Sequence, residues 1–278
     1  MSAHLPFSRL RIDADDLRPL VPIVQLNKVE NGSATPIFCV HSIEGVGIPL
    51  MTLAEKLQVP VYCFQCTEET PLDSVKAIAN CYIQRMKKIQ PKGPYRILGY
   101  SYGATIAFNI ATQLQAQELP ETVEHLILLD GSHKYTRTYR NAYRIAYGFA
   151  AGDLSSDPRF ESELLCAFAI RFASDTDYRA LRNELMRQPS WEDRVQCVQD
   201  KVMSGGMFSN ISTIVFAVNS LRQKFIIADR YIPEQKFQGD VVLIRAKHGA
   251  AIVEGIGSDY GLHEVLTIVL LSISHSLT

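Results

Sequence analysis

The segment 99–103 holds the residues of this chain that are best placed for chemistry. Its sequence, Gly-Tyr-Ser-Tyr-Gly, fits the pattern G-x-S-x-G. An apolar run ends at the motif, and a stretch with helical spacing, residues 104–117, follows it. A serine on a tight turn between a strand and a helix exposes its hydroxyl above the sheet edge, where the N–H groups at the helix start stabilise an oxyanion. The setting therefore predicts Ser101 as the nucleophile of an acyl-transfer reaction.

A serine nucleophile needs a base, and the base needs a carboxylate that orients it. Asp130 ends the apolar run 126–130, which is the next predicted strand after the helix that follows Ser101. Because neighbouring parallel strands end at the same edge of a sheet, we expect its side chain to emerge beside Ser101. The alternative is a carboxylate that only caps the turn at Gly131 and Ser132. We predict Asp130 as the acid.

Acyl transfer also needs two N–H groups for the oxyanion. The N–H of Tyr102, directly after the serine, is predicted as one donor. The loop 41–45, after an early apolar run, is expected to supply the other, and we predict the N–H of Ile43. His41 lies in the same loop but precedes Ser101, whereas hydrolases of this type place serine, acid and histidine in that order. We therefore predict a structural role for His41.

Strands and helices alternate over the first half of the chain, which predicts parallel β-α-β units and an α/β fold. We divide the chain into a lead-in, an α/β core formed by two segments, and a helical cap inserted between them. Strand character returns near residues 239–247. The predicted boundaries are 1–34 for the lead-in, 35–134 and 236–278 for the core, and 135–235 for the cap. The predicted strands are 36–42, 59–66, 95–101 and 123–132, with helices at 51–57, 72–89 and 102–117.

The composition excludes several classes of protein. The 278 residues carry a net charge of −1, so no strong field attracts nucleic acid or acidic membranes. The apolar runs are shorter than the ~20 residues of a membrane helix, and the start lacks the apolar region of a signal peptide. Cys63 and Cys66 form a lone C-x-x-C with no second pair, which disfavours a zinc or redox site. We expect a cytoplasmic protein without a metal or other cofactor.

Several short segments resemble, in order, the thioesterase domain of animal fatty acid synthase. The resemblance covers most of the chain, from about Leu20 to Tyr260. It implies an α/β-hydrolase core with a mostly parallel sheet and a helical cap. Ser42 stands where the family usually has proline. The segments are His-Ser-Ile-Glu-Gly (41–45), Gln-Cys-Thr (65–67), Pro-Leu-Asp-Ser (71–74), Gln-Pro-Lys-Gly-Pro-Tyr-Arg (90–96), Gly-Tyr-Ser-Tyr-Gly-Ala (99–104), Asp-Gly-Ser (130–132), Leu-Ile-Arg-Ala-Lys (243–247) and Asp-Tyr (259–260).

The resemblance also implies a reaction and a partner. The reaction is hydrolysis of a long-chain fatty acyl thioester through a serine acyl-enzyme during fatty acid synthesis. The acyl chain would be presented on the phosphopantetheine of an acyl carrier protein domain or on coenzyme A. By the same resemblance, Ser101 is the nucleophile and Asp130 the acid of a catalytic triad, and Ile43 and Tyr102 supply the oxyanion hole.

The motifs do not fix which histidine is the general base, because the family's Gly-Asp-His turn is absent and the C-terminal end is short. In one alignment, residues 267–271 form the last strand and His275 follows it as the base. In the other, residues 266–277 form the family's final helix, and the strand and histidine are lost. The β-branched residues 267–269 favour the strand, whereas the serine- and isoleucine-rich composition favours the helix. His263 and His248 precede this region and are predicted to be surface or loop residues.

Two other functions stay open. A chain without the general base would be a truncated, non-catalytic protein that binds acyl chains, because removal of a triad base costs several orders of magnitude in rate. Alternatively, the enzyme is a thioesterase of the polyketide- or peptide-synthetase type.

Overall fold

The computed structural model describes residues 12–29, 34–117, 123–147, 154–173, 175–246, 256–267 and 270–275. The chain divides into two compact units. One unit comprises Pro19–Arg140 and Ile227–Thr278 and contains the sheet. The other comprises Met1–Arg18 and Asn141–Ile226 and is helical in its described part.

The described strands form one seven-stranded sheet of order β1-β3-β2-β4-β5-β6-β7. Only β1 is antiparallel to its neighbour, and the other pairs are parallel. The carboxyl ends of β2 and β4 to β7 therefore meet at one edge. The strands are β1 (Ile23–Gln25), β2 (Ile37–Val40), β3 (Val61–Phe64), β4 (Tyr95–Tyr100), β5 (Val123–Leu129), β6 (Val241–Ala246) and β7 (Leu270–His275).

Apolar strands and amphipathic helices account for this unit. The parallel strands are rich in buried Phe, Val, Ile and Leu, as expected when helices cover both faces of a sheet. The long helix after β3 begins at Ser74, whose hydroxyl accepts a hydrogen bond from the N–H of Ala77 at 3.0 Å, and ends before Pro91. The helices are α1 (Met51–Ala54), α2 (Val75–Ile89), α3 (Tyr102–Gln117) and α4 (Tyr135–Tyr147), the last of which contains the unit boundary.

The helical unit begins its helices at clear capping residues. Asp157, Asp177 and Ser190 each accept a hydrogen bond from a backbone N–H of the first turn. The helices are α5 (Pro158–Phe172), α6 (Tyr178–Leu185), α7 (Trp191–Ser204) and α8 (Ile211–Arg230). In the described part of the chain, only α8 is long and apolar enough to span a membrane, and 61% of its most apolar window is buried inside the fold. Such burial is typical of a core helix.

The C-terminal segment is a strand rather than a helix. Strand β7 pairs with β6 from Val241 opposite Leu270 to Ala246 opposite His275. Its described residues are Leu270–His275, so His275 lies within the strand instead of following it. The lead-in also contributes more than predicted, because its residues Ile23–Gln25 form the edge strand β1 against β3.

Candidate active site

Ser101 occupies the one-residue turn between the end of β4 at Tyr100 and the start of α3 at Tyr102. Its φ of 53° lies in the left-handed region, which non-glycine residues rarely adopt. Two hydrogen bonds hold this conformation. The Ser101 N–H donates to the carbonyl of Leu129 at 2.8 Å, and the Ala104 N–H donates to the carbonyl of Ser101 at 3.0 Å. Strained backbone that the surroundings enforce is typical of functional sites, and this is the predicted setting of a strand, a turn and a helix.

The start of α3 packs directly on the end of β2. A Cβ atom at Gly103 would lie 2.4 Å from the carbonyl oxygen of His41 and 2.5 Å from that of Val40. Only glycine allows this approach, which brings the loop 41–45 against the helix N-terminus. The second glycine of the motif therefore brings the loop that carries Ile43 against the helix start that carries Tyr102.

The amide groups of Ile43 and Tyr102 lie in that junction. Both residues are buried. No backbone carbonyl of the described residues accepts a hydrogen bond from the N–H of Ile43, nor from that of Tyr102, the first residue of α3. Nearby, the Ser42 hydroxyl donates to the Glu44 carboxylate at 2.6 Å, a contact that proline at position 42 could not make. The loop and the helix start thus each offer one N–H donor, that of Ile43 and that of Tyr102.

Asp130 lies beside Ser101 at the same sheet edge. It directly follows β5 and has a φ of 46°. Its N–H donates to the carbonyl of Ile244 on β6 at 2.7 Å, and its Oδ1 accepts a hydrogen bond from the Tyr260 hydroxyl at 2.8 Å. A Cβ atom at Gly131 would lie 2.3 Å from the carbonyl oxygen of Ser101, so the acid loop rests on the serine backbone. The structure thus brings these two predicted residues together.

His41 is a structural residue, as its position in the chain predicted. It is 1% exposed, and its ring stacks on Tyr102 with 6.3 Å between ring centroids. Its Nδ1 lies 2.6 Å from the carbonyl of Ser42, which can only accept, so Nδ1 carries the proton. Its Nε2 then accepts from the Tyr82 hydroxyl at 2.7 Å. Both ring nitrogens are committed to holding the loop.

The histidines considered as bases have different surroundings. His263 is exposed, and its Nδ1 lies 2.6 Å from Oδ2 of Asp259. Burial opposes the charge of Asp259, but hydrogen bonds from His263 and Gly261 hold its pKa below the ordinary value. His248 lies outside the described residues. His275 is described by its backbone, which the pairing with Ala246 puts at the carboxyl end of β7, the same sheet edge as Ser101.

The motifs did not predict a role for two residues near Asp130, Tyr260 and His133. Tyr260 contacts Asp130 from 130 residues away, and only the resemblance at Asp-Tyr (259–260) pointed to its segment. His133 is 4% exposed, and burial, aided by the charge of Lys134, lowers its pKa to about 4. A histidine that is neutral and buried at pH 7 packs as a core residue.

The surroundings of the cysteines and of the other potential metal ligands bear on the C-x-x-C pair. In the part of the chain that the structure describes, no group of three His, Cys, Asp or Glu side chains is placed to hold a metal ion. Cys63 and Cys66 are both buried, and neither forms a disulfide. Burial raises the pKa of the Cys63 thiol well above its ordinary value, so the thiolate is disfavoured.

The sheet order and the serine turn define the fold as that of an α/β hydrolase. The surfactin thioesterase domain SrfTE has the same fold, with a TM-score of 0.54 over 96% of this chain and 88% of that one. Its identity of 17% establishes the fold alone. Within this fold, residues 35–154 match the family model of the thioesterase domain, and this segment contains Ser101 and Asp130.

Curated relatives match the same kind of domain inside much longer proteins. The polyketide synthase PksR of Bacillus subtilis (strain 168) is 34% identical over 125 residues, which are 43% of this chain and 5% of that protein. The nonribosomal peptide synthetase btyA of Aspergillus terreus is 35% identical over 99 residues, 34% of this chain and 10% of that protein. The chain therefore spans a small part of each. These relatives favour the polyketide- and peptide-synthetase alternative over animal fatty acid synthase.

Proposed function

We propose that this chain is a serine thioesterase that releases an acyl chain from the phosphopantetheine thioester of a carrier domain, in a synthetase of polyketides or peptides. The observation that carries the proposal is Ser101, held at a φ of 53° between β4 and α3 with Asp130 on the next strand end. This arrangement suits nucleophilic acyl transfer because the serine and the acid lie at one sheet edge, beside the loop 41–45 and the helix start that carry the two proposed N–H donors.

The proposed reaction has two steps. The Ser101 oxygen attacks the thioester carbon while a histidine takes its proton, and the oxyanion accepts hydrogen bonds from the N–H groups of Ile43 and Tyr102. The C–S bond breaks, the thiol leaves with the proton from the histidine, and an acyl-serine forms. Water then loses a proton to the same histidine as its oxygen attacks the acyl carbon. The C–O bond to Ser101 breaks, the histidine returns the proton to the Ser101 oxygen, and the carboxylic acid leaves. We assign His275 as this base because it ends the strand β7 at the same sheet edge.

The class of acyl chain follows from the relatives. Their names, polyketide synthase and nonribosomal peptide synthetase, favour a polyketide or peptidyl chain carried on phosphopantetheine. A long-chain fatty acyl substrate is the second candidate, favoured by the motifs at 90–96 and 130–132 that resemble fatty acid synthase. The absence of a disulfide among the six cysteines supports a reducing location, and we propose the cytoplasm.

The test measures thiol release from synthetic acyl-pantetheine thioesters with polyketide-like, aminoacyl and palmitoyl groups. Wild-type chain is expected to release thiol from at least one of them, and Ser101→Ala is expected to lose this activity. The matched control is Ser220→Ala, which removes a buried hydroxyl that donates to the Ala217 carbonyl of its own helix. A folded wild-type chain without turnover on any thioester refutes the proposal and favours the non-catalytic acyl-binding protein.

A further inference from the structure

We infer that Tyr260 is a positioning residue that fixes the carboxylate of Asp130 for the general base. This inference rests on the proposed function, which makes Asp130 the acid of the site. Its basis is the hydrogen bond from the Tyr260 hydroxyl to Oδ1 of Asp130, at 2.8 Å. No described hydrogen bond reaches the second oxygen, Oδ2, which leaves that oxygen for an imidazole N–H.

The backbone of Asp130 is fixed, but its side chain needs a further contact. The left-handed φ of 46° and the N–H bond to Ile244 define where the Cβ atom lies. The carboxylate on that Cβ atom can still rotate between staggered positions. A donor that binds one oxygen selects one orientation, so the phenol decides which way the other oxygen points.

The phenol of Tyr260 is itself held rigidly. Its φ of 53° lies in the left-handed region, and its N–H donates to the carbonyl of Gly257 at 3.1 Å. Its ring stacks on that of Tyr135, with centroids 5.8 Å apart and planes 29° apart. The Tyr135 hydroxyl in turn donates to that of Tyr139. A strained turn with a stacked ring in a buried position is a rigid support for a hydrogen-bond donor.

The same segment is tied to the acid loop a second time. Glu264, four residues after Tyr260, accepts a hydrogen bond from Nζ of Lys134 at 2.5 Å. Burial, together with the charge of Asp130, raises the pKa of Tyr260, so the phenol keeps its proton throughout the neutral range and acts as a donor. The turn 257–264 thus contacts the loop that carries Asp130 at two points, through Tyr260 and through Glu264.

The first test is whether the contact exists in solution. Thermal unfolding is measured for Tyr260→Phe, for Asp130→Ala and for the double variant. We expect Tyr260→Phe to lower the Tm of the wild-type chain and to have little effect in the Asp130→Ala background, since the acceptor is then gone. An equal Tm shift in both backgrounds refutes the contact, whatever the activity of the chain.

The second test is kinetic, on the acyl-pantetheine thioester that the wild-type chain turns over best. We expect Tyr260→Phe to lower kcat roughly tenfold with KM unchanged, because a misaligned acid affects the transition state and not substrate binding. Tyr231→Phe is the matched control, since its hydroxyl bonds to Asn109 and it lies in the same unit. It is expected to keep the wild-type kcat.

The outcomes separate the two proposals. A wild-type chain that turns over while Tyr260→Phe matches Tyr231→Phe refutes only the role of Tyr260. A parallel rise of KM with the loss of kcat assigns Tyr260 to substrate binding and overturns positioning. A wild-type chain that shows no turnover refutes the proposed function, and the positioning role of Tyr260 in that reaction fails with it.

Discussion

Replacing Gly103 by alanine adds one methyl group at the junction between α3 and the loop 41–45. The new Cβ atom would lie 2.4 Å from the carbonyl oxygen of His41 and 2.5 Å from that of Val40. Ordinary van der Waals contact begins at 3.4 Å. Both obstacles are backbone atoms, so no side-chain rotation relieves the clash. The helix start and the loop must therefore separate by about 1 Å.

The two N–H groups of the oxyanion hole lie on opposite sides of this junction, Tyr102 on the helix and Ile43 on the loop. A separation of about 1 Å misplaces at least one donor, and such a displacement can cost roughly 100-fold in rate. Overpacking destabilises a fold by about 1–3 kcal/mol, partly offset by the better helix propensity of alanine, which is about 1 kcal/mol. We therefore expect a variant that is folded, slightly less stable and nearly inactive.

The assay combines kcat/KM for thioester cleavage with the Tm of each variant. Gly205→Ala in the helical unit is the matched control, because its added Cβ atom would lie 3.2 Å from the nearest atom and needs only a small adjustment. It is expected to keep the wild-type kcat/KM. If Gly103→Ala folds and retains full kcat/KM, the placement of the oxyanion donors argued from this junction is wrong.

Three further predictions follow. His275→Ala is expected to lose thioester cleavage by several orders of magnitude while His263→Ala keeps it; a loss confined to His263→Ala would assign the base to the pair that it forms with Asp259. His133 has a folded pKa of about 4 against 6.5 unfolded, so the unfolded chain binds more protons between these values and stability falls as the pH is lowered through that window, by at most about 3 kcal/mol. Unfolding of wild type and His133→Gln at pH 4.5 and pH 7 measures this, and an equal pH dependence in both contradicts it. Glu161→Ala leaves Arg194 and Arg222 without their buried carboxylate and is expected to cost about 3–5 kcal/mol in denaturant unfolding, whereas a loss under 1 kcal/mol would show that the pair is solvated.

The sequence predicts most of this sheet because its strands are apolar runs separated by clear breakers. Strand β4 ends directly before Ser101, and β5 ends directly before Asp130. The sequence pattern alone therefore predicts that the two residues lie at the same edge of the sheet. The glycines of the motif confirm the close packing that such a turn requires. The local sequence pattern is sufficient here because each strand end lies within a few residues of the site residue that it positions.

The features that the sequence does not predict depend on contacts between residues that are far apart in the chain. Strand β1 has only three residues, and its pairing with β3 is set by the sheet edge rather than by its own pattern. The run that contains β7 suits a helix or a strand equally well by periodicity, and pairing with β6 decides between them. The contact of Tyr260 with Asp130 joins residues 130 positions apart. The motifs also resemble fatty acid synthase, whereas the curated relatives favour polyketide and peptide synthetases.

The central claim, an activated Ser101, is tested most directly by covalent labelling with an alkyl fluorophosphonate. The purified chain is incubated with the reagent, digested and analysed by mass spectrometry. We expect one phosphonylated residue, Ser101, in the wild-type chain and no label in Ser101→Ala. A folded wild-type chain that stays unlabelled, or a label that persists in Ser101→Ala, would contradict it.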